Sequence, residues 1–229
     1  MPEATKTKRE QRREDTANEI KAVARRQMAE TGTAGLSLRA IASEMNITAP
    51  AIYRYYENRD TLITALILDG FNALADALEQ ARDSHPSPDA REQLFAVLIA
   101  YRAWANANPL DFQLIYGNPI PGYHAPREVT VPAVVRGFAV IIGLLQQLLQ
   151  KHTAAVPPVP PQFAAYFRAM IDRDGYPVSE TAFYWGIVSW TRLHGIIMLE
   201  IFNHLQPTIG DVDAYYHAEI VQLIKEFGL

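Results

Sequence analysis

The apolar residues of this chain recur at three- and four-residue intervals along most of its length, as in helices that bury one face. Ile20, Val23 and Met28 share a face of a first helix, which we predict over about residues 9–30. No stretch alternates between apolar and polar residues for long enough to predict a strand. The pattern therefore predicts an all-α fold.

Residues 37–56 predict two short helices joined by a tight turn. Ser37 is suited to cap the first helix, because its hydroxyl can accept a first-turn amide. Asn46 follows that helix and is among the few non-glycine residue types that tolerate a left-handed backbone. Thr48 can cap the second helix, with Pro50 in its first turn, where a missing amide hydrogen costs little. This is the pattern of a helix-turn-helix, whose second helix enters the DNA major groove.

Capping residues, glycines and prolines divide the rest of the chain into one long helix and about six more. Asn58 is suited to cap the long helix, whose apolar positions serve two cores, so we place the domain junction within it. The Pro/Gly-rich residues 117–126 predict an irregular connection, and residues 156–161 a stiff extended linker. The predicted helices cover residues 59–82, 87–106, 108–116, 130–151, 162–172, 179–205 and 211–227.

The helix-turn-helix segment resembles the N-terminal DNA-binding domain of the TetR family of bacterial transcriptional regulators over residues 15–63. The family more often has Gly at the turn, His-Phe in place of Tyr55-Tyr56, and Lys in place of Arg59. The resemblance implies a three-helix DNA-binding domain over 1–62, followed by a helical-bundle ligand-binding and dimerisation domain over 63–229. It rests on Gly35, Ser37, Ile41, Ala42, Asn46, Ile47, Thr48, Tyr53, Arg54, Tyr55, Tyr56, Arg59 and Leu62.

A second resemblance lies in the penultimate predicted helix, in the segment Trp190-Thr-Arg-Leu-His194-Gly195. Trp190 and His194 are four residues apart and therefore share a face. Together with the loop over residues 116–123, this segment resembles the C-terminal domain of a TetR subgroup named for a Trp/His-Gly signature. The resemblance leaves the effector of this chain open.

The helix-turn-helix supplies the candidate DNA contacts. Arg39 and Arg54 can donate two hydrogen bonds to a guanine edge, although Arg54 could instead bind a phosphate or pair on the surface. Tyr53 and Tyr55 can donate to phosphates, or one of them can pack against the first helix. Small side chains would let the second helix approach the bases, and the resemblance implies further phosphate contacts. The full set is Ser37, Arg39, Thr48, Ala49, Ala51, Tyr53, Arg54, Tyr55 and Arg59.

Aromatic residues are spread over several helices of the predicted second domain. Any single one is more readily explained as core, but together they suggest a site for an apolar or aromatic effector between bundle helices. Arg102, Gln146 and His194 are the candidate polar partners. The predicted ligand-binding set is Phe71, Tyr101, Trp104, Phe112, Tyr116, Phe138, Gln146, Trp185 and His194.

The last two predicted helices are the candidate dimer surface, since Gly186, Ser189 and Gly195 would allow another helix to approach closely. A symmetric dimer matches a palindromic operator with half-sites about 34 Å apart. An effector would then select a domain arrangement in which the recognition helices are wrongly spaced for DNA. The long helix from Arg59 would serve both domains in that change.

Composition limits the other function classes. The chain has no Cys, which excludes disulfides and zinc-thiolate sites. Its net charge is −4, but residues 1–60 hold 11 Lys/Arg against 9 Asp/Glu, so a local basic surface is compatible with DNA. Lys6, Lys8, Arg9 and Arg12 predict a disordered basic arm, which could contact DNA or be solvated only. The charged start and the interruption of the apolar residues 131–149 by Arg136 predict a cytoplasmic protein without a membrane span.

No pattern supports catalysis, a metal or another cofactor. The Glu-x-x-His pair of helical di-iron proteins, a Gly-rich phosphate loop and a nucleophile elbow are all missing from the sequence. We therefore expect a non-enzymatic, ligand-responsive DNA-binding regulator that acts as a repressor. The alternative is a helical small-molecule-binding or catalytic protein with a vestigial helix-turn-helix.

Overall fold

The computed structural model describes residues 7–151 and 156–227, and every regular element in these ranges is helical. This confirms the predicted all-α class. A short 3-10 turn, Thr33–Gly35, also lies in these ranges. The α-helices are α1 (Lys8–Thr31), α2 (Leu38–Glu44), α3 (Ala49–Ile52), α4 (Arg59–Asp83), α5 (Ala90–Ala107), α6 (Pro109–Tyr116), α7 (Arg127–Lys151), α8 (Pro161–Asp174), α9 (Glu180–Ile201), α10 (Gln206–Ile209) and α11 (Val212–Glu226).

By its internal contacts the chain divides into two compact units. The first contains Met1–Gly70 and Leu110–Val131, and the second contains Phe71–Pro109 and Pro132–Leu229. The division falls within α4, the helix in which the sequence predicted the junction. The inclusion of α6 and the loop after it in the first unit was not predicted, and a domain boundary at residue 62 stays a prediction.

The first unit is built around the apolar faces of α1, α2 and the start of α4. Ile20, Ile41 and Leu62 are fully buried there, and Ile52 brings α3 onto the same core. Since these residues recur at helical spacing, burial of each stripe fixes the side of each helix that faces solvent. Phe112 of α6 is also fully buried.

The second unit is a helical bundle of the end of α4 with α5 and α7 to α11. Its fully buried residues include Leu144 of α7, Leu193 of α9 and Tyr216 of α11. The Tyr216 hydroxyl donates to the carbonyl of Leu98 at 3.0 Å, so this buried phenol is not left unpaired.

Local capping signals account for most helix ends. The Asn58 side chain accepts the amide of Thr61 at 2.9 Å at the start of α4, where the sequence predicted this cap. Ser179, where the sequence predicted a helix to begin, caps α9. However, α9 ends at Ile201, four residues before the predicted end, because Asn203 takes a left-handed φ of 58°. The short helix α10 was not predicted.

The start of α1 corrects the prediction of a disordered basic arm. The helix begins at Lys8, where Thr7 and Glu10 form a reciprocal capping box. Arg9 and Arg12 are therefore helical, whereas Lys6 lies outside the described residues.

Candidate DNA-binding surface and effector cavity

The turn between α2 and α3 has the backbone geometry that the sequence predicted. Asn46 has a positive φ of 54°, and the amide of the next residue donates to the carbonyl of Ala42 at 3.0 Å. This bond is typical of a Schellman ending and turns the chain sharply toward α3. At the other end of α2, the Ser37 hydroxyl accepts the amide of Ala40 at 3.4 Å.

One recess of the first unit, of about 360 Å³, brings together four predicted DNA-binding residues: Ser37, Arg39, Tyr53 and Arg59. Arg39 is exposed, and Tyr53 keeps 44% of its surface accessible. Because Ser37 uses its oxygen as an acceptor in the cap, its hydroxyl hydrogen can still be donated. The recess therefore offers hydrogen-bond donors from Ser37, Arg39 and Tyr53, with the carboxylate of Glu57 also in its lining.

Arg54 and Tyr55 line a second recess, formed with the first turns of α1. Four arginines around one recess favour an anion, and duplex DNA presents a regular row of phosphates. Tyr55 is only half-buried, so its phenol can reach that space. The lining residues are Thr7, Arg9, Glu10, Arg12, Arg13, Thr16, Arg54 and Tyr55.

Helix α3 is one turn long and carries small side chains at its start. Ala49 and Ala51 are half-buried, and Thr48 is exposed. Thr48 occupies the N-cap position, but its side chain makes no capping hydrogen bond, contrary to the prediction. Its hydroxyl and methyl groups are thus not required to hold the helix.

Arg59, a predicted phosphate contact, instead makes its contacts within the first unit. Its Nη2 donates to the carbonyl of Thr33 at 2.7 Å, and its Nη1 lies 3.9 Å from Asp60. Its Nε is buried without a hydrogen-bond partner. The structure therefore gives Arg59 a role in linking the start of α4 to the 3-10 turn before α2.

Charged residues behind the helix-turn-helix hold three helices together. Asp69 of α4 contacts Lys21 of α1 at 2.7 Å, and Asp111 of α6 contacts Arg25 of α1 at 2.8 Å. Burial raises the pKa of the neighbouring Tyr56, and the negative charge of Asp69 raises it further. These contacts fix α1 against α4 and α6 and so support the surface that α3 presents.

The second unit contains an apolar cavity of about 270 Å³ between α7, α8 and α9. It lies over a core cluster that includes Ile142 and Phe183. The Phe138 ring meets the Phe183 ring edge-on, with centroids 6.3 Å apart. The lining residues are Val135, Phe138, Ala139, Ile142, Gly143, Gln146, Met170, Tyr176, Pro177, Val178 and Phe183.

Two of the nine predicted ligand-binding residues, Phe138 and Gln146, line this cavity. The other seven do not line it, and their role as ligand contacts stays a prediction. Phe112 and Tyr116 belong to the first unit, where their ring centroids are 5.3 Å apart. Phe71 is buried in the second unit, and Trp104 is half-buried.

The remaining predicted ligand contacts are engaged elsewhere in the second unit. The Tyr101 hydroxyl lies 2.7 Å from Nδ1 of His194. The Trp185 indole donates to the carbonyl of Pro157 at 3.3 Å. Arg102, the other candidate polar partner, donates to Glu200 at 2.6 Å. Helical spacing could not distinguish these packed groups from cavity walls.

The three small residues predicted for the dimer surface have different surroundings. A Cβ added at Gly186 would lie 2.8 Å from the Ile142 side chain, so Gly186 allows close packing within its own chain. Ser189 is buried, and its hydroxyl donates to the carbonyl of Trp185 at 2.8 Å. The predicted role is thereby corrected for both. Only the third, Gly195, has open space above its backbone.

In the described ranges, no group of three His, Asp or Glu side chains is arranged to hold a metal ion. The helix-turn-helix offers hydrogen bonding and charge, and the cavity offers apolar burial.

Comparison with known proteins agrees with both regions. Residues 20–66 match the family described as bacterial regulatory proteins, tetR family. Residues 94–223, more than half of the chain, match the family described as tetracyclin repressor-like, C-terminal domain. This chain belongs to the TetR family. The fold class and the DNA-binding, ligand-responsive regulator that the sequence predicted are thereby supported, while the Trp/His-Gly subgroup stays a prediction.

The curated relatives are transcriptional regulators that match over most of their length. The HTH-type transcriptional regulator Rv1816 of Mycobacterium tuberculosis is 33% identical over 200 residues, which cover 86% of this chain and 85% of that protein. The HTH-type transcriptional regulator Mb1846 of Mycobacterium bovis matches to the same extent. The match includes both the helix-turn-helix and the bundle.

Solved structures share the fold. The structure of SCO4313 is 32% identical and covers 96% of this chain and 100% of its own, with a TM-score of 0.78. A protein of unknown function from Rhodococcus sp. RHA1 has 22% identity and a TM-score of 0.69, covering 92% of this chain and 94% of its own. The second likeness shows the fold alone.

Helices α4 and α7 are long and apolar enough to cross a membrane by length and composition. However, 50% of the most apolar window of α4 and 44% of that of α7 are buried within the protein. Since the relatives are transcriptional regulators, we interpret both as core helices of a soluble protein.

Proposed function

We propose that this TetR-family protein binds a palindromic operator as a homodimer and represses transcription until a small apolar effector weakens that binding. The observation that carries the proposal is the set of exposed donors around α3, where Arg39, Tyr53 and Arg54 surround a helix with small side chains. Such a surface fits base edges and the phosphates beside them. The protein would act in the cytoplasm, without catalysis or a cofactor.

In this proposal each group has a distinct part in DNA binding. Arg39 and Arg54 donate to guanine edges, which specifies sequence. Tyr53, Tyr55 and Ser37 donate to phosphates, which sets the position of α3 in the groove. Thr48, Ala49 and Ala51 leave room for the bases, and a methyl group there can contact a thymine methyl.

A second copy of the chain would pack against α9 and α11. Leu199 and Phe202 at the end of α9, and Val221 on α11, expose between 40% and 47% of their surface. Burial of this apolar surface against its symmetry mate would favour a two-fold dimer. Two recognition helices related by a two-fold axis match an inverted repeat with half-sites about 34 Å apart.

The test is selection from random DNA duplexes with the full-length protein, followed by fluorescence anisotropy on the enriched sequence. We expect enrichment of an inverted repeat and an affinity that falls steeply as salt rises. A Lys151→Ala variant, which changes an exposed lysine at the end of α7 in the second unit, is the control for loss of a positive charge. Failure to enrich any sequence, together with equal binding to unrelated duplexes, would contradict the proposal.

A further inference from the structure

One polar side chain of the cavity between α7, α8 and α9, that of Gln146, is held in a defined orientation. The Gln146 Oε1 accepts the backbone amide of Ser179 at 2.7 Å. Since that oxygen binds a donor, the side-chain NH2 group is the part of Gln146 left to serve the cavity that the residue lines. The cavity therefore offers a hydrogen-bond donor from α7.

The other residues of the lining favour a small, uncharged ligand. Among the described residues of the lining, no side chain carries a charge, and Tyr176 is the other one with a hydrogen-bonding group at its end. An ionised ligand would lose its hydration without gaining a counter-charge, which is unfavourable. The volume of about 270 Å³ lies below the range of about 300–1,000 Å³ typical of drug-sized ligands, so the ligand must be small.

We infer that this cavity binds small, uncharged apolar compounds with one hydrogen-bond acceptor, such as an aryl ketone or ester, whose oxygen accepts from the NH2 group of Gln146. The inference rests on the proposed function, because it names the effector class of the proposed repressor. Phe138, Ile142 and Phe183 would contact the apolar part of the ligand.

Three naphthalenes of matched shape test this chemistry: 2-acetylnaphthalene, 2-ethylnaphthalene and 2-naphthoate. Binding to the full-length protein is measured by calorimetry, without DNA. We expect the ketone to bind, and the carboxylate to bind at least about 10-fold more weakly because its charge has no partner. Tightest binding by the carboxylate, or no detectable binding of the ketone up to its solubility limit, would overturn the inference.

The role of Gln146 is tested by the ratio of ethylnaphthalene to acetylnaphthalene dissociation constants. Gln146→Leu should reduce this ratio by about 2- to 10-fold, the value of one ordinary hydrogen bond. Gln146→Glu should also reduce this ratio, because it removes the NH2 donor but keeps an oxygen that accepts the Ser179 amide. This variant therefore tests the role of the donor even if the leucine variant misfolds. The exposed neighbour provides the matched control, Gln147→Leu. An unchanged ratio in both Gln146 variants, or its loss in Tyr176→Phe alone, would overturn the assignment.

Substitutions at Gly143 test whether the ligand binds in this cavity. Gly143 lines the cavity, and no atom lies within 4 Å of a Cβ added there. Gly143→Phe should therefore remove binding of the ketone, whereas Gly143→Ala should keep it. Equal binding by both would place the ligand elsewhere and overturn the inference.

Operator affinity is measured in parallel with ketone binding. A ketone that binds through Gln146 but leaves operator affinity unchanged contradicts the proposed induction alone, whereas an operator-binding protein that takes no ketone contradicts the ligand class alone.

Discussion

The guanidinium of Arg59 donates a hydrogen bond of 2.7 Å to the backbone carbonyl oxygen of Thr33. Thr33 begins the 3-10 turn that leads into α2, and Arg59 is the first residue of α4. The bond thus closes the helix-turn-helix region across 26 residues. It also occupies a guanidinium that the family resemblance assigns to a phosphate.

We predict that Arg59→Ala destabilises the protein by about 1–3 kcal/mol, since it leaves a partly buried carbonyl without its charged donor. Operator affinity should fall for all sequences, but the slope of log affinity against log salt should stay the same. Urea unfolding and salt-dependent anisotropy measure the two effects. A slope reduced by about one, with unchanged stability, would instead identify Arg59 as a phosphate contact.

Arg39 and Arg54 differ from Arg59, because both are exposed and have no ion pair among the described contacts. If each contacts a guanine edge, replacing either by Ala should cost about 1–3 kcal/mol on the operator and relax preference at one position per half-site. Affinities for a complete set of single-base operator variants give the measurement. Tyr53→Phe is the comparison, with an expected loss that is uniform over all variants. Unchanged preferences in both arginine variants would remove direct readout by arginine.

Local features of this chain could be predicted from its sequence better than long-range contacts. The left-handed Asn46 and the caps at Ser37 and Asn58 depend on residues within a few positions, so the pattern alone indicates them. By contrast, Gly186 looks the same in sequence whether it faces a second copy or Ile142 of its own chain. The same limit applies to the predicted aromatic set, of which Phe138 lines the cavity, since spacing shows which side chains share a helix face but not which faces meet.

The exposed apolar residues at the end of the chain lead to a prediction about assembly. Val221→Asp places a charge in the proposed dimer surface on α11 and should shift the protein from dimer to monomer, with weaker operator binding. Val134→Asp, at an exposed apolar position of α7, is the matched control and should leave the dimer intact. Sedimentation equilibrium measures the mass. If the two variants assemble equally, α11 is not at the dimer contact.

The burial of His194 beside Tyr101 predicts a dependence of stability on pH. Burial lowers the pKa of His194 from its ordinary value of 6.5. Below pH 6.5 the unfolded chain therefore takes up a proton that the folded chain still excludes, and stability decreases as the pH falls. His194→Gln should make this acid loss shallower, as measured by urea unfolding at pH 7.5 and 5.5. His204→Gln, at an exposed position, should keep the full loss; an equal loss in both variants would contradict the assignment.

The last prediction concerns coupling between the cavity and the operator. A ligand shifts an equilibrium only by its different affinity for the two states, so an effector that weakens operator binding must itself bind more weakly when operator is bound. With a saturating effector we expect operator affinity to fall by about 5- to 150-fold, and saturating operator should reduce effector affinity by the same factor. Gly143→Phe, which fills the cavity, should abolish the response and leave operator affinity without effector unchanged. The two titrations, each performed with and without the other ligand, give two independent values of one coupling factor. Unequal values would mean that the compound acts at more than one site. A factor of one for a compound that binds in the cavity would refute induction, and the proposed DNA binding would remain in place.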